Sequence, residues 1–283
     1  MIPEWLFGPA GDLRPLPPME MDVVNAIDRF GGIHTAISGG RTVDVLGYKA
    51  RYGFELNHIE PDEYAHLEAV FTRQIPGNTY LIDPLRKNLL SREASSSKPS
   101  GTSTAGVFTT SGSATWIRVL DGPVSWSQRA AQWSGMLAGT RLHLDYQGRI
   151  PVVQARDMTF SVYVRSAEAV TVTGFSQPYL NGTWLGTRSY TAAATLVPNT
   201  WTRIQITVPG DVSVSDELHF GIQYEGGGSV GVTIQVASAQ AEFSSEPTEP
   251  VIGGGSIRAG IETMETVSPY YPYQSVILKI LEV

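Results

Sequence analysis

The 283-residue chain contains no cysteine. That excludes disulfides, thiolate metal sites and a cysteine nucleophile, and with them a small disulfide-stapled secreted fold. Charge is scarce as well. Charged residues make up 17% of the chain, against roughly a quarter in ordinary globular domains. Gly, Ser, Thr and Pro fill the gap, which favours strands and turns over long helices. No run of Lys and Arg breaks a net charge of -7, so the basic patch that releases counterions from nucleic acid is missing. No stretch reaches the roughly 18 consecutive apolar residues of a spanning helix. The first residues, Met-Ile-Pro-Glu-Trp-Leu-Phe-Gly-Pro, lack the basic start and apolar run of a signal peptide. The expectation is a soluble chain with no membrane insertion and no nucleic-acid partner.

Catalytic signatures are missing too. There is no His-Glu-x-x-His, no Asp-x-Asp-x-Asp, and no Walker or Rossmann glycine pattern that precedes a helix. His58 and His66 stand near Glu60, Asp62, Glu63 and Glu68, and Asp62 with His66 reads as a surface helix pair. Asp216 and Glu217 sit in a turn-like stretch with no second acid placed opposite them, as glycoside hydrolysis would need. The chain is expected not to be an enzyme.

What is present is period-two alternation, the mark of half-buried strands. In 159–165, Phe160, Val162 and Val164 face one way while Ser161, Tyr163 and Arg165 face the other. In 201–208, Ile204, Ile206 and Val208 oppose Arg203, Gln205 and Thr207. In 218–224, Phe220, Ile222 and Tyr224 oppose His219 and Gln223. In 232–236, Val232, Ile234 and Val236 oppose Thr233 and Gln235. Gly226-Gly-Gly-Ser229 is a hairpin turn between the last two. Several short strands with turns between them predict an all-β sandwich.

The flanks read differently. Pro9, Pro15, Pro17 and Pro18 stiffen an N-terminal arm that carries Trp5, Leu6 and Phe7. Strands are expected over Thr42–Leu46 and Ala50–Leu56. A helix is expected over 60–71, with Pro61 in its first turn, Asp62 and Glu63 at its positive end, and Tyr64, Leu67, Val70 and Phe71 on one apolar face. A strand follows over 79–83. The Ser- and Gly-rich 91–114 has linker composition, and Gly253-Gly-Gly-Ser256 is expected to be a flexible exit. The final segment 275–283 is apolar enough to require burial in the N-terminal unit. A length of 283 residues suits two domains.

Glycans are held by aromatic rings and by planar polar groups that bond hydroxyls. The polar strand faces supply Tyr163, Arg165, Arg203, Gln205, His219, Gln223 and Gln235. The turn at Asn181-Gly182 adds Tyr179 and Trp184, and Trp126 and Trp133 are assigned to a further loop. Trp5, Phe7, Tyr270, Tyr271 and Tyr273 are aromatics in proline-stiffened segments and are candidates for a subunit interface.

The stretch Gln240-Ala-Glu242 before Pro247-Thr248 resembles the closing strand of jelly-roll carbohydrate-binding modules. The strand, helix, strand, Asp83-Pro84 and Asn88-Leu-Leu90 layout, over roughly residues 40 to 95, resembles the start of siphophage minor tail proteins that carry such a module as an insert. The resemblance implies a mainly β fold: a jelly-roll β-sandwich at 88–249, inserted in a small α+β tail-docking domain at 1–87 plus 250–283 with one short helix. It implies a structural protein near the tail tip of a tailed phage, made in the host cytoplasm and carried in the virion. Its partners would be other tail proteins, further copies in a ring, and host surface polysaccharide. No cofactor is required. A structural calcium held by Asp121, Asp157 or Glu242 is the one such group these modules raise. The alternatives are a carbohydrate-binding module that assists a glycan-degrading enzyme, and a head decoration protein.

Overall fold

The apolar residues of the alternating strands are buried. In 159–165 the apolar residues Phe160, Val162 and Val164 are fully buried, and the same holds for Phe220 and Ile222 in 218–224. A computed structural model describes residues 4–17, 19, 23–35, 38, 40–43, 47–98, 106–145, 148–210, 215–270 and 272–283. The chain runs through β1 (Leu6–Pro9), β2 (Arg14–Pro15), β3 (Val24–Phe30), β4 (Ile33–Thr35), β5 (Arg41–Val43), β6 (Gly47–Ile59), α1 (Pro61–Phe71) and β7 (Thr79–Ile82). Next come α2 (Arg92–Ser95), β8 (Val107–Thr109), β9 (Ser113–Arg118), β10 (Arg129–Ser134), β11 (Arg141–Leu144), β12 (Ile150–Pro151), β13 (Met158–Ser166) and β14 (Val170–Leu180). The short β15 (Thr183–Trp184), β16 (Ser189–Tyr190) and β17 (Ala194–Thr195) precede β18 (Thr202–Val208), β19 (Glu217–Gly227) and β20 (Thr233–Glu242). The long hairpin β21 (Ser256–Tyr270) and β22 (Tyr273–Glu282) ends the chain. Of the expected strand at 42–46, residues 44–46 lie outside the described residues, as does Tyr271.

Contacts divide the chain into two units. One gathers Ile82–Ile257 with two short N-terminal pieces; the other joins Leu6–Pro9, Arg14–Leu81 and Arg258–Val283. The first is a sandwich of a five-stranded sheet, β18-β13-β20-β10-β9, and an eight-stranded one built on β15-β14-β19-β11-β8. Its pairings are antiparallel. The chain changes sheet between β8 and β9, β10 and β11, β12 and β13, β13 and β14, β17 and β18, β18 and β19, and β19 and β20. Two sheets sharing one chain in this alternating way make a jelly roll. Phe160 of one sheet stacks on Phe220 of the other, centroids 5.1 Å apart. Trp133 is buried in strand β10, so it belongs to the core and not to a binding loop. Trp126 is likewise tied down, its Nε1 donating to the Pro250 carbonyl at 2.9 Å.

The second unit is a seven-stranded sheet, β2-β1-β7-β21-β22-β6-β3. Its middle comes from both ends of the sequence, because β22 pairs with β6. Helix α1 begins with a capping box in which Glu60 and Glu63 exchange backbone and side-chain bonds. Its buried residues are His66 and Leu67, while Phe71 is 41% exposed. The apolar face is therefore rotated from the expected one, and His66 is no surface partner of Asp62. Phe7 is also placed differently from expectation. It is only 1% exposed, consumed by the sheet that β1 joins, and cannot reach a subunit interface. Trp5 is half-buried, Tyr273 is at the exposed limit and stands edge-on to His58 at 6.2 Å, and Tyr270 ends strand β21.

The glycine run at 253–255 is not a flexible exit. All three glycines are buried. The Gly254 amide donates to the Leu90 carbonyl at 2.6 Å, Gly255 donates to Asn88 at 2.9 Å, and the Gly255 carbonyl accepts from Asp83 at 2.8 Å. A Cβ on Gly255 would stand 2.4 Å from the Arg86 carbonyl oxygen. Glycine is needed here so that two backbones can touch. The linker-like 91–98 holds the short helix α2, capped by the Ser91 hydroxyl.

Beside this contact the module is clasped by one amide. Asn88 is fully buried. Its Nδ2 donates to the carbonyls of Ala239 (2.9 Å) and Val251 (2.7 Å), and its Oδ1 accepts from the amides of Leu90 and Ala241, both at 3.2 Å. Gln240, Glu242 and Thr248 complete the closure. Glu242 accepts from Gln240 Nε2 (2.7 Å), from the Thr248 amide (2.8 Å) and from its hydroxyl (2.8 Å), while Gln240 Oε1 accepts from the Val251 amide (2.8 Å). The Asn-Leu-Leu start and the Gln-x-Glu ending are thus two halves of one buried hydrogen-bond set.

Candidate functional site

Register sorts the candidate residues onto two different surfaces. Tyr163, Arg165, Arg203, Gln205 and Gln235 lie on the outer face of the five-stranded sheet, where Tyr163 opposes Arg203 and Arg165 opposes Gln235. These groups satisfy one another. Arg165 donates to Gln235 Oε1 at 2.7 Å and to Asp121 at 2.5 Å, and lies 4.5 Å from the Trp201 ring centre. That hydrogen bond holds the Asp121 carboxyl below its ordinary range. Arg203 donates to Ser161 and to the Thr248 carbonyl beside the Tyr163 ring. Little hydrogen-bonding capacity is left over, apart from the exposed Gln205.

The opposite surface, the outer face of the eight-stranded sheet, carries Tyr179, Trp184, His219 and Gln223. Strand pairing arranges it in rows. Trp184 stands beside Tyr179, and Tyr179 beside Glu217. Gln177 faces His219. Tyr190, Phe175, Gly221, His143 and Phe108 follow one another across five strands. Thr173, Gln223 and Arg141 form the next row. Gly221 has a steric reason to be glycine: a Cβ there would meet the Leu142 carbonyl oxygen at 2.3 Å and the Phe175 ring at 2.6 Å.

The turn that presents Trp184 is set by two residues. Asn181 (φ 48°) and Gly182 (φ 75°) both take positive φ, as a two-residue Asn-Gly hairpin of type I′ requires. The Asn181 amide donates to Asp216 at 2.7 Å, and Arg149 caps the Gly182 carbonyl at 3.1 Å. Trp184 stays 40% exposed. The Arg188 guanidinium covers its ring at 4.1 Å, and Arg149 covers the Tyr179 ring at 3.7 Å. Arg149 also donates to the buried Glu217 at 2.9 Å, Arg188 donates to Gln177 Oε1 at 2.8 Å, and Gln177 donates to the Tyr179 hydroxyl at 2.5 Å.

Between these side chains lies a cavity of about 280 Å³, lined by Phe108, Thr110, Arg141, His143, Arg149, Gln177, Tyr179, Trp184 and Arg188. His143 of its lining stacks on the buried His219. His143 and His219 lie 4.8 Å apart and 10° from parallel, with Phe175 edge-on to both. Burial, then the charges of Arg188 and Arg141, lower the His143 pKa to about 3. Burial, His143 and the arginines Arg149 and Arg188 drive His219 well below its usual value. Both rings are neutral at physiological pH.

Sequence reasoning placed His219 on the solvent side, and it does lie on the outer face, but neighbours bury it to 1%. Arg141, His143, Arg149, Gln177 and Arg188 were missed. Arg149 and Arg188 belong to no alternating strand, and His143 and Gln177 show their role only once the register is known. The carboxylates raised for calcium lie apart: Asp121 holds Arg165, Asp157 accepts the Gly210 amide at 3.0 Å, and Glu242 is caged by Thr248. Among the described residues no group of three or more metal-binding side chains converges.

Neither a family model nor a curated protein matches the chain. Solved structures do. An arabinose-bound GH51 α-L-arabinofuranosidase aligns at TM-score 0.42 and 16% identity over 56% of this chain and 26% of its own. The CBM22-1 xylan-binding domain of Paenibacillus barcinonensis Xyn10C aligns at TM-score 0.40 and 12% identity over 57% of this chain and 97% of its own. The enzymatically active domain of bacteriophage CBA120 tailspike protein 4 aligns at TM-score 0.40 and 9% identity over 56% and 21%. The chain therefore spans about a quarter of the first of these proteins and a fifth of the third. The fold assignment rests on the strand order.

Proposed function

We propose that the chain is a polysaccharide-binding protein whose site is the cleft on the eight-stranded sheet. The carrying observation is the convergence on one concave surface of an exposed indole, Trp184, with a ring of planar hydrogen-bonding groups from Gln177, Arg141, Arg149 and Arg188. Sugars offer apolar C–H faces and in-plane hydroxyls, which is what such a surface complements. Binding without catalysis is the reading favoured here. Glu217 is 1% exposed and salt-bridged to Arg149, so it is poorly placed to exchange protons with a substrate.

In this proposal the split seven-stranded unit docks the protein into a phage tail near its tip, and the sandwich faces outward to host polysaccharide. Exposed apolar residues on β3 and β6, Val24 (66%), Phe30 (51%) and Tyr48 (50%), support a docking role for that unit. Several weak sites in one particle would hold a cell by avidity. The second reading is a module accessory to a glycan-degrading enzyme, favoured by a self-contained sandwich with its own cleft.

Trp184→Ala tests the cleft. Loss of one stacked ring should weaken polysaccharide retention in affinity electrophoresis by about tenfold, ~1.4 kcal/mol. Its thermal unfolding should stay unchanged, because the indole is 40% exposed. Unaltered retention would move the site elsewhere. Antibody against the sandwich should decorate tail tips of purified virions. A monomer absent from virions that binds free polysaccharide would select the accessory reading.

A further inference from the structure

The charge in the cleft is lopsided. Three guanidinium groups line the cavity and no carboxylate does, in a chain whose net charge is -7. One of the three is neutralised, since Arg149 pairs with Glu217 at 2.9 Å. Arg188 bonds only the neutral amide of Gln177. Among the described residues, neither Arg141 nor Arg188 has a carboxylate within ion-pair distance. A second acid on strand β19, Glu225, turns its Oε1 to the Thr173 hydroxyl (2.6 Å) and the Gln223 amide (2.9 Å). The histidines beneath are neutral and offset nothing. Two partly desolvated guanidinium groups without an anion are costly to hold together, and their planar forks match oxyanions.

We propose that the cleft selects an acidic polysaccharide, one whose rings carry carboxylate or sulfate groups, with Arg141 and Arg188 engaging the anion while Trp184 stacks on the sugar. This inference rests on the glycan-binding reading of the same cleft. A neutral glycan would leave both charges unanswered. An acidic one converts them into charge-assisted hydrogen bonds and gains long-range steering from a local positive field.

The test uses the full chain in affinity electrophoresis against four polymers and one control: polygalacturonate, its carboxyl-reduced counterpart, dextran sulfate, dextran, and single-stranded poly(dT). The acidic polymers should be retained at least tenfold more strongly than their neutral partners. The carboxylate and sulfate arms show which anion is preferred. Arg141→Gln and Arg188→Gln should each cut that preference by about tenfold. The remote Gln205→Ala on the opposite sheet should leave it unchanged, and thermal unfolding of all three variants should match the parent. Raising salt from about 0.05 to 0.5 M should weaken the acidic complexes severalfold. Equal retention of polygalacturonate and its reduced form would overturn the charge inference and leave the glycan reading standing. Acidic preference that survives both arginine variants would overturn the assignment to this cleft. Retention of poly(dT) alone, or of no polymer, would overturn both readings.

Discussion

Asn88→Ala should destabilise the sandwich by about 4 kcal/mol, since a buried group left without its partner costs roughly 1–3 kcal/mol. One side chain serves four backbone groups: the carbonyls of Ala239 and Val251 and the amides of Leu90 and Ala241. The site is fully buried, so water does not replace the lost bonds. The effect is also topological. Residue 88 opens the module and residues 239–251 close it, so the substitution separates the two ends of one sheet system. Asn88→Asp should be no milder, because it keeps the acceptor, removes both donors and buries a charge. The measurement is urea unfolding followed by tryptophan fluorescence. All six tryptophans, at positions 5, 116, 126, 133, 184 and 201, lie in the sandwich unit, so the signal reports that unit alone. A loss below about 1 kcal/mol would mean that the clasp does not hold the module closed.

The same clasp shows how much was legible in the sequence. Asn88-Leu-Leu, Gln240-x-Glu242 and Pro247-Thr248 stand out as motifs without any structure, but a linear chain does not say that they bond one another across some 150 residues. The sandwich strands were legible for a different reason. Each has one wet or polar face and one dry face, and period two survives even where the polar face is covered. The glycines at 253–255 were misread because composition cannot separate a glycine that frees the chain from one that lets two backbones meet. Helix α1 was placed correctly, yet its buried face was not, since burying His66 depends on what packs over it. The cleft divided along the same line. Tyr179 and Trp184 were visible beside an Asn-Gly turn, and His219 and Gln223 on an alternating strand. Arg149 and Arg188 sit in irregular segments, and only the register brings them beside those rings. The sequence also pooled residues from two sheets, because alternation tells which side of a strand is polar and never which strands are neighbours.

Acidification should unfold the sandwich along a slope set by three buried groups. His143 titrates near pH 3 in the fold, and His219 well below its usual value, while in the unfolded chain both take a proton near 6.5. Below that pH the unfolded state binds two protons that the folded state refuses, so stability falls as pH falls. Asp145 acts in the opposite sense. Burial, against the hydrogen bonds from Ser91, raises its pKa to about 7, so on acidification the folded state takes this proton before the unfolded chain does, whose carboxyl waits until near 4. Between about pH 6.5 and 4 the net difference is one proton bound by the unfolded state, which corresponds to a loss of about 1.4 kcal/mol per pH unit. Asp145→Asn removes the opposing group and should roughly double that slope. His219→Gln should abolish it, because one histidine and Asp145 then cancel. Stability from urea unfolding at a series of pH values in this window checks all three. A wild-type profile that is flat or rises toward pH 4 would show that the imidazole pair accepts protons in the folded state, and that the pair is wetter than its 1–3% exposure implies.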